Sequence, residues 1–278
     1  VQHRPRLWPE RRRAVDLAPG CALHLLHRLH RHRQPHRQGR RLELTTFGRT
    51  LLDYTRRAFS GEEDAHALLA AAKNRFVGRL VIHAIGPYNV VPVLKAFGSR
   101  HPQVEVSVRV GDSRSITEKL LDYQGDVGVV LNHAEHPELH CMPYRSQRLV
   151  VFANREHALA RCGEIVLKDL QSQRFVIREE GSTTRRVFES ELIARNINIQ
   201  VALEMGSREA VREAVAQGIG LGVVAETAYV PDPRLVKLKI LDTAMATHVD
   251  FICRRERQNA PLIATIFDLA KEVRRGLA

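Results

Sequence analysis

The stretches "SRSITEKLLDYQGDVGVV" (113–130) and "SREAVREAVAQGIGLGVV" (207–224) align without a gap at an offset of 94 residues. They are identical at the first two positions, Ser-Arg, and at the last three, Gly-Val-Val. Each follows an apolar strand pattern that ends in glycine, at Gly111 and at Gly206. We interpret the two stretches as a repeated strand–helix–strand unit, which predicts two α/β lobes of similar construction.

Neighbouring segments continue this alternation of strands and helices. In the first half we predict strands at 78–86, 104–111 and 126–131, with helices at 87–102 and from 113 to 125. In the second half we predict strands at "QRFVIREE", "VALEMG", "LGVVA" and "HVDFICRRE", and a terminal helix at "APLIATIFDLAKEVRRGLA". A β-α-β-α-β order predicts parallel strands covered by helices.

The segment before the first strand has apolar residues at helical spacing, beginning at Leu51, Leu52 and Tyr54. This spacing predicts one long helix within residues 45–77 and leaves open a break near Ser60–Gly61. A long helix in front of a globular region is typical of a linker or a dimerisation element.

The formal net charge of +12 is concentrated near the N-terminus. Residues 1–41 contain eleven arginines and two acids, which gives +9 and leaves about +3 for the rest of the chain. A general affinity of the whole protein for polyanions is therefore not indicated.

Several functional classes are disfavoured by the sequence. The four cysteines, Cys21, Cys141, Cys162 and Cys253, form no CxxC pair, which favours a reduced, cytoplasmic protein. No signal-peptide pattern and no apolar run of about 18 residues is present, so we expect no membrane association. HExxH, GxSxG and P-loop motifs are also missing, and "GIGLG" (218–222) lies between a helix and a strand, the wrong context for a dinucleotide loop. We therefore predict no enzyme activity, no metal and no cofactor.

Four turns are predicted at the carboxyl ends of strands, where open α/β sheets bind ligands. They contain Gly86, Pro87 and Tyr88; Asp112 and Ser113; Ser182, Thr183 and Thr184; and Gly206 and Ser207. Helix N-termini bind anions through unpaired N–H groups, so we expect Ser182–Thr184 to receive the acidic group of a small ligand, with added charge from Arg185 or Arg186. The alternative is that Ser113 and Ser207 are only helix N-caps and that the arginines are solvated.

Three acids, Asp112, Glu179 and Glu180, accompany these turns. If they face the cleft, the ligand also carries a cationic group such as an amine. If they do not, they are ordinary surface charges, and the sequence leaves both possibilities open.

The ordered motifs resemble the LysR-type transcriptional regulators over residues 36–278. "HRQGRRLELTTFGRTLLDYTRRA" is similar to the end of that family's winged helix-turn-helix and the start of its linker helix. "GRLVIHAIGPYNVVPVLKAFGSRHP" with the following segment to residue 130, "GIGLGVV" and the C-terminal "HVDFICRRERQNAPLIATIFDLAKEV" resemble its regulatory region.

The resemblance implies a two-lobed α/β regulatory region like that of type 2 periplasmic binding proteins, with an effector between the lobes. It implies a remnant wing in 1–44, a linker helix in 45–77 and an effector-binding domain in 78–278, with lobe I at 78–152 and 250–278 and lobe II at 153–249. It adds Asn132 and His133 to the effector contacts, and Arg37, Arg40 and Arg41 to the DNA contacts. It also implies a homodimer or homotetramer. The motifs "GPY", "GDS" and "EEGSTTR" resemble the branch linked to 2-aminoethylphosphonate, which suggests a phosphonate effector, although a carboxylate or a sulfur compound would use much the same chemistry.

Residues 1–35 depart from the family because they lack its helix-turn-helix pattern and the apolar periodicity of three packed helices. Their arginine-rich, lysine-free composition leads us to hypothesise that they are translated out of frame or from a wrong start. From this segment we expect salt-dependent contact with DNA phosphates but no operator specificity. The alternative function is a small-molecule-binding protein that does not bind DNA.

Overall fold

A long helix precedes the α/β region in the computed structural model, which describes residues 44–73 and 76–276. This helix, α1, runs from Thr46 to Ala71 and continues through Ser60 and Gly61, so the break left open by the sequence does not occur. The predictions for residues 1–43, including the DNA contacts of Arg37, Arg40 and Arg41, lie outside the described residues.

The first lobe begins with a parallel three-stranded arrangement. Its elements are β1 (Gly78–Ala84), α2 (Pro87–Arg100), β2 (Val104–Val110), α3 (Ser113–Leu121) and β3 (Val127–Leu131). β1 lies between β2 and β3 and pairs with both in parallel, as the sequence predicts. The carboxyl ends of all three strands therefore meet at one edge, where the predicted first-lobe turns begin.

A sixteen-residue strand, β4 (Leu139–Asn154), carries the chain into the second lobe. The elements that follow are β5 (Glu164–Ile165), β6 (Arg174–Arg178), α4 (Thr183–Ala194), β7 (Gln200–Met205), α5 (Arg208–Ala216), β8 (Gly222–Ala225), β9 (Leu235–Ile240), β10 (Ala246–Arg254) and α6 (Pro261–Arg275). Short 3₁₀ helices at Ala158–Arg161, Leu167–Leu170, Glu226–Ala228 and Arg255–Arg257 complete the described part.

The internal repeat is larger than the aligned sequence stretches. β6 pairs in parallel with β7, and on its other side Phe175 bridges in parallel to Leu221, directly before β8. The order β7-β6-β8 thus repeats the order β2-β1-β3 of the first lobe. The predicted strand–helix–strand repeat is confirmed, and it extends to a whole β-α-β-α-β unit in each lobe.

The expectation of a parallel sheet is wrong for the strands that join the lobes. β10 is antiparallel to both β3 and β4, and β4 is antiparallel to β8 and β9. Antiparallel pairing arises here because β10 brings the chain back to the first lobe, in the opposite direction to β4. The two long strands pass through both lobes and form their connection.

Separate hydrophobic cores lie on either side of this connection. Phe97, Phe251 and Ile266 belong to the first-lobe core, and Phe175 and Phe188 to the second-lobe core. Along β4 the change of core falls between Tyr144 and Leu149, and on the return it falls between Met245 and Val249. On β4 this is several residues earlier than the predicted boundary at 152–153, because Leu149 and Val151 already pack in the second-lobe core.

A buried arginine attaches α1 to the first lobe. The Nε and Nη2 atoms of Arg257 donate to the two carboxylate oxygens of Asp64 on α1, at 2.7 and 2.8 Å. Its Nη1 atom donates to Asp126 Oδ1 at 2.8 Å, and Asp126 Oδ2 accepts a hydrogen bond from the Val81 N–H of β1 at 2.6 Å. The helix, the loop before β3 and strand β1 are therefore joined in one hydrogen-bonded cluster.

Residues 44–73 and 76–276 contain neither a membrane-spanning helix nor a metal-binding cluster of side chains. None of the helices there is long and apolar enough to cross a bilayer. In the same residues, no group of three or more His, Cys, Asp or Glu side chains is arranged to hold a metal ion.

Candidate functional site

The strand ends of the two lobes face each other across a cleft. The Asp112 carboxylate of the first lobe lies so close to Gly181 of the second that a Cβ atom on Gly181 would be 3.1 Å from Asp112 Cγ. Nearby, Arg208 of the second lobe donates a hydrogen bond from Nη1 to the Ile85 carbonyl of the first. The turns that the sequence assigns to a ligand thus converge from both lobes.

One pocket of this cleft, with a volume of about 330 Å³, is lined by both lobes. Its lining includes Ser113, Asn132 and His133 from the first lobe and Gly181, Thr183 and Arg186 from the second. We call it the cleft pocket. The N-terminal turns of α3 and α4 both open into it, and such turns present free N–H groups and a partial positive charge.

The first-lobe helix α3 is capped differently from the expectation. Asp112, not Ser113, is its N-cap, and the Asp112 side chain accepts a hydrogen bond from the Ser115 N–H at 2.9 Å. Ser113 instead accepts the Leu131 N–H of β3 at 3.0 Å through its hydroxyl oxygen. The prediction of Ser113 as the cap is therefore wrong, because its hydroxyl fixes the end of the neighbouring strand.

Asn132 and His133 are held by the connection between the lobes. Asn132 has a positive φ of 47°. Its N–H donates to the His248 carbonyl, and its side-chain oxygen accepts a hydrogen bond from the His248 N–H at 2.6 Å. The His133 N–H donates to Asp250 at 3.0 Å. Burial lowers the pKa of His133 and raises the pKa of Asp250. A neutral imidazole is favoured, and its buried Nε2 has no hydrogen-bond partner among the described residues.

The second-lobe helix α4 begins with three buried hydroxyl residues. Ser182 is the N-cap, and its Oγ lies 3.4 Å from the Arg185 N–H. Thr183 and Thr184 occupy the first turn and are only 3% and 6% exposed. The Thr183 hydroxyl lies in the cleft pocket and accepts a hydrogen bond from Arg186 at 3.3 Å. Hydroxyl and guanidinium are thus placed side by side at a helix N-terminus.

Two of the predicted charged groups are already engaged. Arg185 binds Glu189 and Glu204 and donates to the Arg178 carbonyl, which favours Arg186 over Arg185 as the arginine that adds charge. Glu179 forms a two-point ion pair with Arg178, at 2.6 and 2.5 Å, and its expected role beside a cationic ligand group is not supported by this contact. Among the predicted charges, Arg186 and the exposed Glu180 remain in the cleft pocket.

The other predicted residues are outside the lining of the cleft pocket, and four of them are sequence neighbours of lining residues: Asp112, Glu179, Ser182 and Thr184. Gly86 is packed against Arg208, whose Nη1 would be 2.5 Å from a Cβ atom at that position. Pro87 is exposed at the start of α2, and Tyr88 lines a second pocket together with Arg208. Gly206 is exposed with open space around it, and Ser207 is the N-cap of α5, accepting the Ala210 N–H at 3.1 Å.

Sequence reasoning missed Arg208, Asp250 and the contact of Arg145 with Asn89. Arg145, on β4 between the lobes, donates from Nε to the buried Asn89 side chain at 2.8 Å. Arg208 and Arg114 occupy equivalent positions in the repeat. The sequence does not show that Arg208 donates a hydrogen bond to the opposite lobe.

Known proteins give the family of this chain. Residues 74–275 match the family model of the LysR substrate binding domain. The HTH-type transcriptional regulator CysL of Bacillus subtilis is 30% identical over 173 residues, which are 61% of this chain and 58% of CysL. The chain therefore aligns with little more than half the length of that relative.

Solved structures share the fold. The regulatory domain of CcmR from Synechocystis PCC6803, in complex with 2-PG, superposes with a TM-score of 0.66 and 26% identity, covering 72% of this chain and 99% of that domain. The effector binding domain of QuiR, in complex with shikimate, gives a TM-score of 0.67 at 18% identity, over 72% of this chain and 98% of that domain, and so shows the fold alone. With two repeated lobes, a cleft between them and a family match over 74–275, the chain belongs to the LysR-type transcriptional regulators and has the type 2 periplasmic-binding-protein-like fold of their regulatory region.

Proposed function

We propose that the cleft pocket binds a small anionic or zwitterionic effector and that this binding controls DNA binding and transcription by the protein. The observation that carries the proposal is the convergence of two helix N-termini, α3 and α4, from separate lobes on one pocket. A ligand that contacts both ends favours one relative orientation of the lobes, which is how a binding event changes a two-lobed protein.

The polar groups of the pocket suit an acidic group on the second-lobe side. The Thr183 hydroxyl, the free N–H groups of α4 and the Arg186 guanidinium all favour a negative charge. Asp112 lies on the first-lobe side and Glu180 on the second-lobe side, and either carboxylate would stabilise an amine. CcmR is in complex with 2-PG, and a carboxylate or a phosphonate with an amine fits the same arrangement in this chain.

The predicted domain division becomes part of this proposal, with the crossing moved to the positions where the cores change. We assign 46–77 to the linker, 78–144 with 249–276 to lobe I and 149–245 to lobe II. Exposed apolar side chains on α1, including Phe47, Tyr54 and Leu69, favour pairing with a second copy in a homo-oligomer. We further propose that the protein acts in the cytoplasm and carries out no catalysis.

The site is tested by removing the Thr183 hydroxyl. In the full chain, Thr183→Val or Thr183→Ala is expected to weaken effector binding by about 1–3 kcal/mol, because a charged acceptor on the effector then lacks one donor. The measurement is calorimetry with a panel of carboxylates, phosphates and aminophosphonates. Ser182→Ala is less informative, since losing the N-cap costs about 1 kcal/mol of helix stability as well.

Ser190→Ala is the matched control, because Ser190 lies on the same helix and its hydroxyl donates to the Arg186 carbonyl on the exposed side. Wild-type affinity in both Thr183 variants would refute the assigned site. Loss of affinity in Ser190→Ala to the same extent would show that the helix, not the hydroxyl, is responsible.

A further inference from the structure

A second pocket lies between α5, β8 and the 3₁₀ helix Glu226–Ala228, with Tyr88 of the first lobe at its edge. Its volume is about 60 Å³, and it shares no lining residue with the cleft pocket. We call it the α5 pocket. Nothing in the proposed effector site requires it.

The walls of the α5 pocket are mainly apolar. They are formed by Phe152, Val211, Val223, Val224, Ala228, Tyr229 and Val230. The rings of Phe152 and Tyr229 meet edge to face at 6.0 Å between centroids. A charged group beside these walls is partly shielded from water, so its interactions with other charges are strengthened.

Arg178 of β6 also lines this pocket, as do two arginines that lie one helical turn apart on α5, Arg208 and Arg212. Neither lies within 4.0 Å of a carboxylate oxygen in the part of the chain that is described, whereas Arg178, Arg254 and Arg257 all form ion pairs. Like charges at this spacing on a helix repel each other, and buried charges are normally paired. The exposed Glu209 at the pocket edge interacts with Arg208 only at longer range.

The hydrogen bonds of these two arginines are also incomplete. The buried Nε of Arg212 has no partner among the described residues. Arg208 donates to a neutral acceptor, the Ile85 carbonyl. Burial and the nearby charge of Arg178 lower the pKa of Arg208, as is expected for a guanidinium without a counter-ion. An unfilled donor on Arg212 and a guanidinium on Arg208 without a close carboxylate therefore belong to two residues that line the same pocket.

We propose that the α5 pocket is a second ligand site, which binds a short-chain aliphatic monocarboxylate between the guanidinium groups of Arg208 and Arg212. Guanidinium binds carboxylate through paired N–H donors, and the apolar walls suit a hydrocarbon chain. The size follows from the volume: at about 10–15 Å³ per water-sized group, 60 Å³ holds about four to six non-hydrogen atoms. Acetate, propionate and butyrate have this size, whereas benzoate is too large.

Binding at this site affects the contact between the lobes. The Arg208 guanidinium that receives the carboxylate is the same group that donates to the Ile85 carbonyl and covers Gly86. A carboxylate in the α5 pocket binds the same guanidinium that contacts the first lobe. Its binding therefore changes the hydrogen bond between Arg208 and the Ile85 carbonyl.

The test is calorimetric titration of the full chain with acetate, propionate, butyrate, benzoate and the uncharged butyramide. We expect butyrate to bind, with butyramide and benzoate at least tenfold weaker. Arg212→Gln and Arg208→Gln are each expected to weaken butyrate at least tenfold. Arg155→Gln removes an exposed arginine that lines neither pocket, so it should leave butyrate affinity unchanged and is the matched control.

Circular dichroism and the melting temperature of each variant establish that it is folded. If Arg212→Gln is unstable, Arg212→Lys serves as the second variant. It keeps the positive charge and is expected to retain most of the butyrate affinity. Failure of wild type to bind any of the three short carboxylates would overturn the proposal, as would unchanged affinity in both glutamine variants. Neither result bears on the effector in the cleft pocket, which depends on Thr183.

Discussion

The two lobes use one strand order, but the helix after the second strand has a charged cap in the first lobe and an uncharged cap in the second. After its second strand the first lobe has Gly111-Asp112-Ser113, and a carboxylate caps the next helix. The second lobe has Gly206-Ser207-Arg208, where a hydroxyl caps the helix and an arginine follows. The repeated backbone thus determines where a ligand binds, while the residues at the cap determine which charge it meets.

The largest effects test whether the lobes are energetically separate. Phe97 and Phe188 are fully buried, one in each core. We expect Phe97→Ala and Phe188→Ala each to lower the free energy of unfolding by about 3–5 kcal/mol, through lost burial and the cavity left behind. Urea denaturation followed by circular dichroism should show one shifted transition for either variant, because β4 and β10 run through both lobes. Two transitions, with only one of them displaced in each variant, would contradict this coupling.

Smaller effects are expected at the two caps. Asp112→Ala and Ser207→Ala should each cost about 0.5–2 kcal/mol at neutral pH, because each variant leaves a helix N–H without its acceptor. The two variants are distinguished by pH. Burial opposes the charged form of Asp112, but hydrogen bonds from Ser115 outweigh it and lower the pKa of this carboxyl.

A lowered pKa means that the Asp112 contribution is present above its unfolded pKa of about 3.9 and is lost as the pH falls further, through the folded value. Asp112→Ala should therefore approach the wild-type stability in acid, whereas the deficit of Ser207→Ala should be the same at every pH. Urea midpoints measured from pH 7 to pH 3 provide the comparison. An unchanged deficit for Asp112→Ala throughout that range would exclude a charged cap.

The smallest effect is expected from a substitution that makes a helix of the first lobe more like its counterpart in the second. The twelfth residue is Gly98 in α2 and Ala194 in α4. A Cβ atom on Gly98 meets nothing within 4 Å, so Gly98→Ala is expected to stabilise the protein by about 0.5–1 kcal/mol through helix propensity alone. Thermal melts against wild type measure it, and a destabilised variant would show that the helix ends before this residue.

Local patterns predicted the repeated units well, because alternating strand and helix signals and glycine at strand ends are encoded within short segments. They did not predict β4, since "LHCMPYRSQRLVVFAN" mixes exposed and buried residues while it crosses from one core to the other. They also placed the cap of α3 one residue late, because both Asp112 and Ser113 are suitable caps and only the contact of Ser113 with Leu131 separates their roles. The role of Arg208 depends on a lobe far away in sequence, and no local signal contains that information.

The cluster at Arg257 has a mechanical consequence. It links Asp64 of α1 to Asp126, and Asp126 in turn binds the Val81 N–H of β1. The carboxyl end of this seven-residue strand leads to Ile85 and Gly86. Because β1 is paired on both sides, we expect a displacement at Gly86 to be transmitted through β1 and Asp126 to α1. We therefore expect α1 and the first lobe to move as one rigid body when the lobes change their relative orientation.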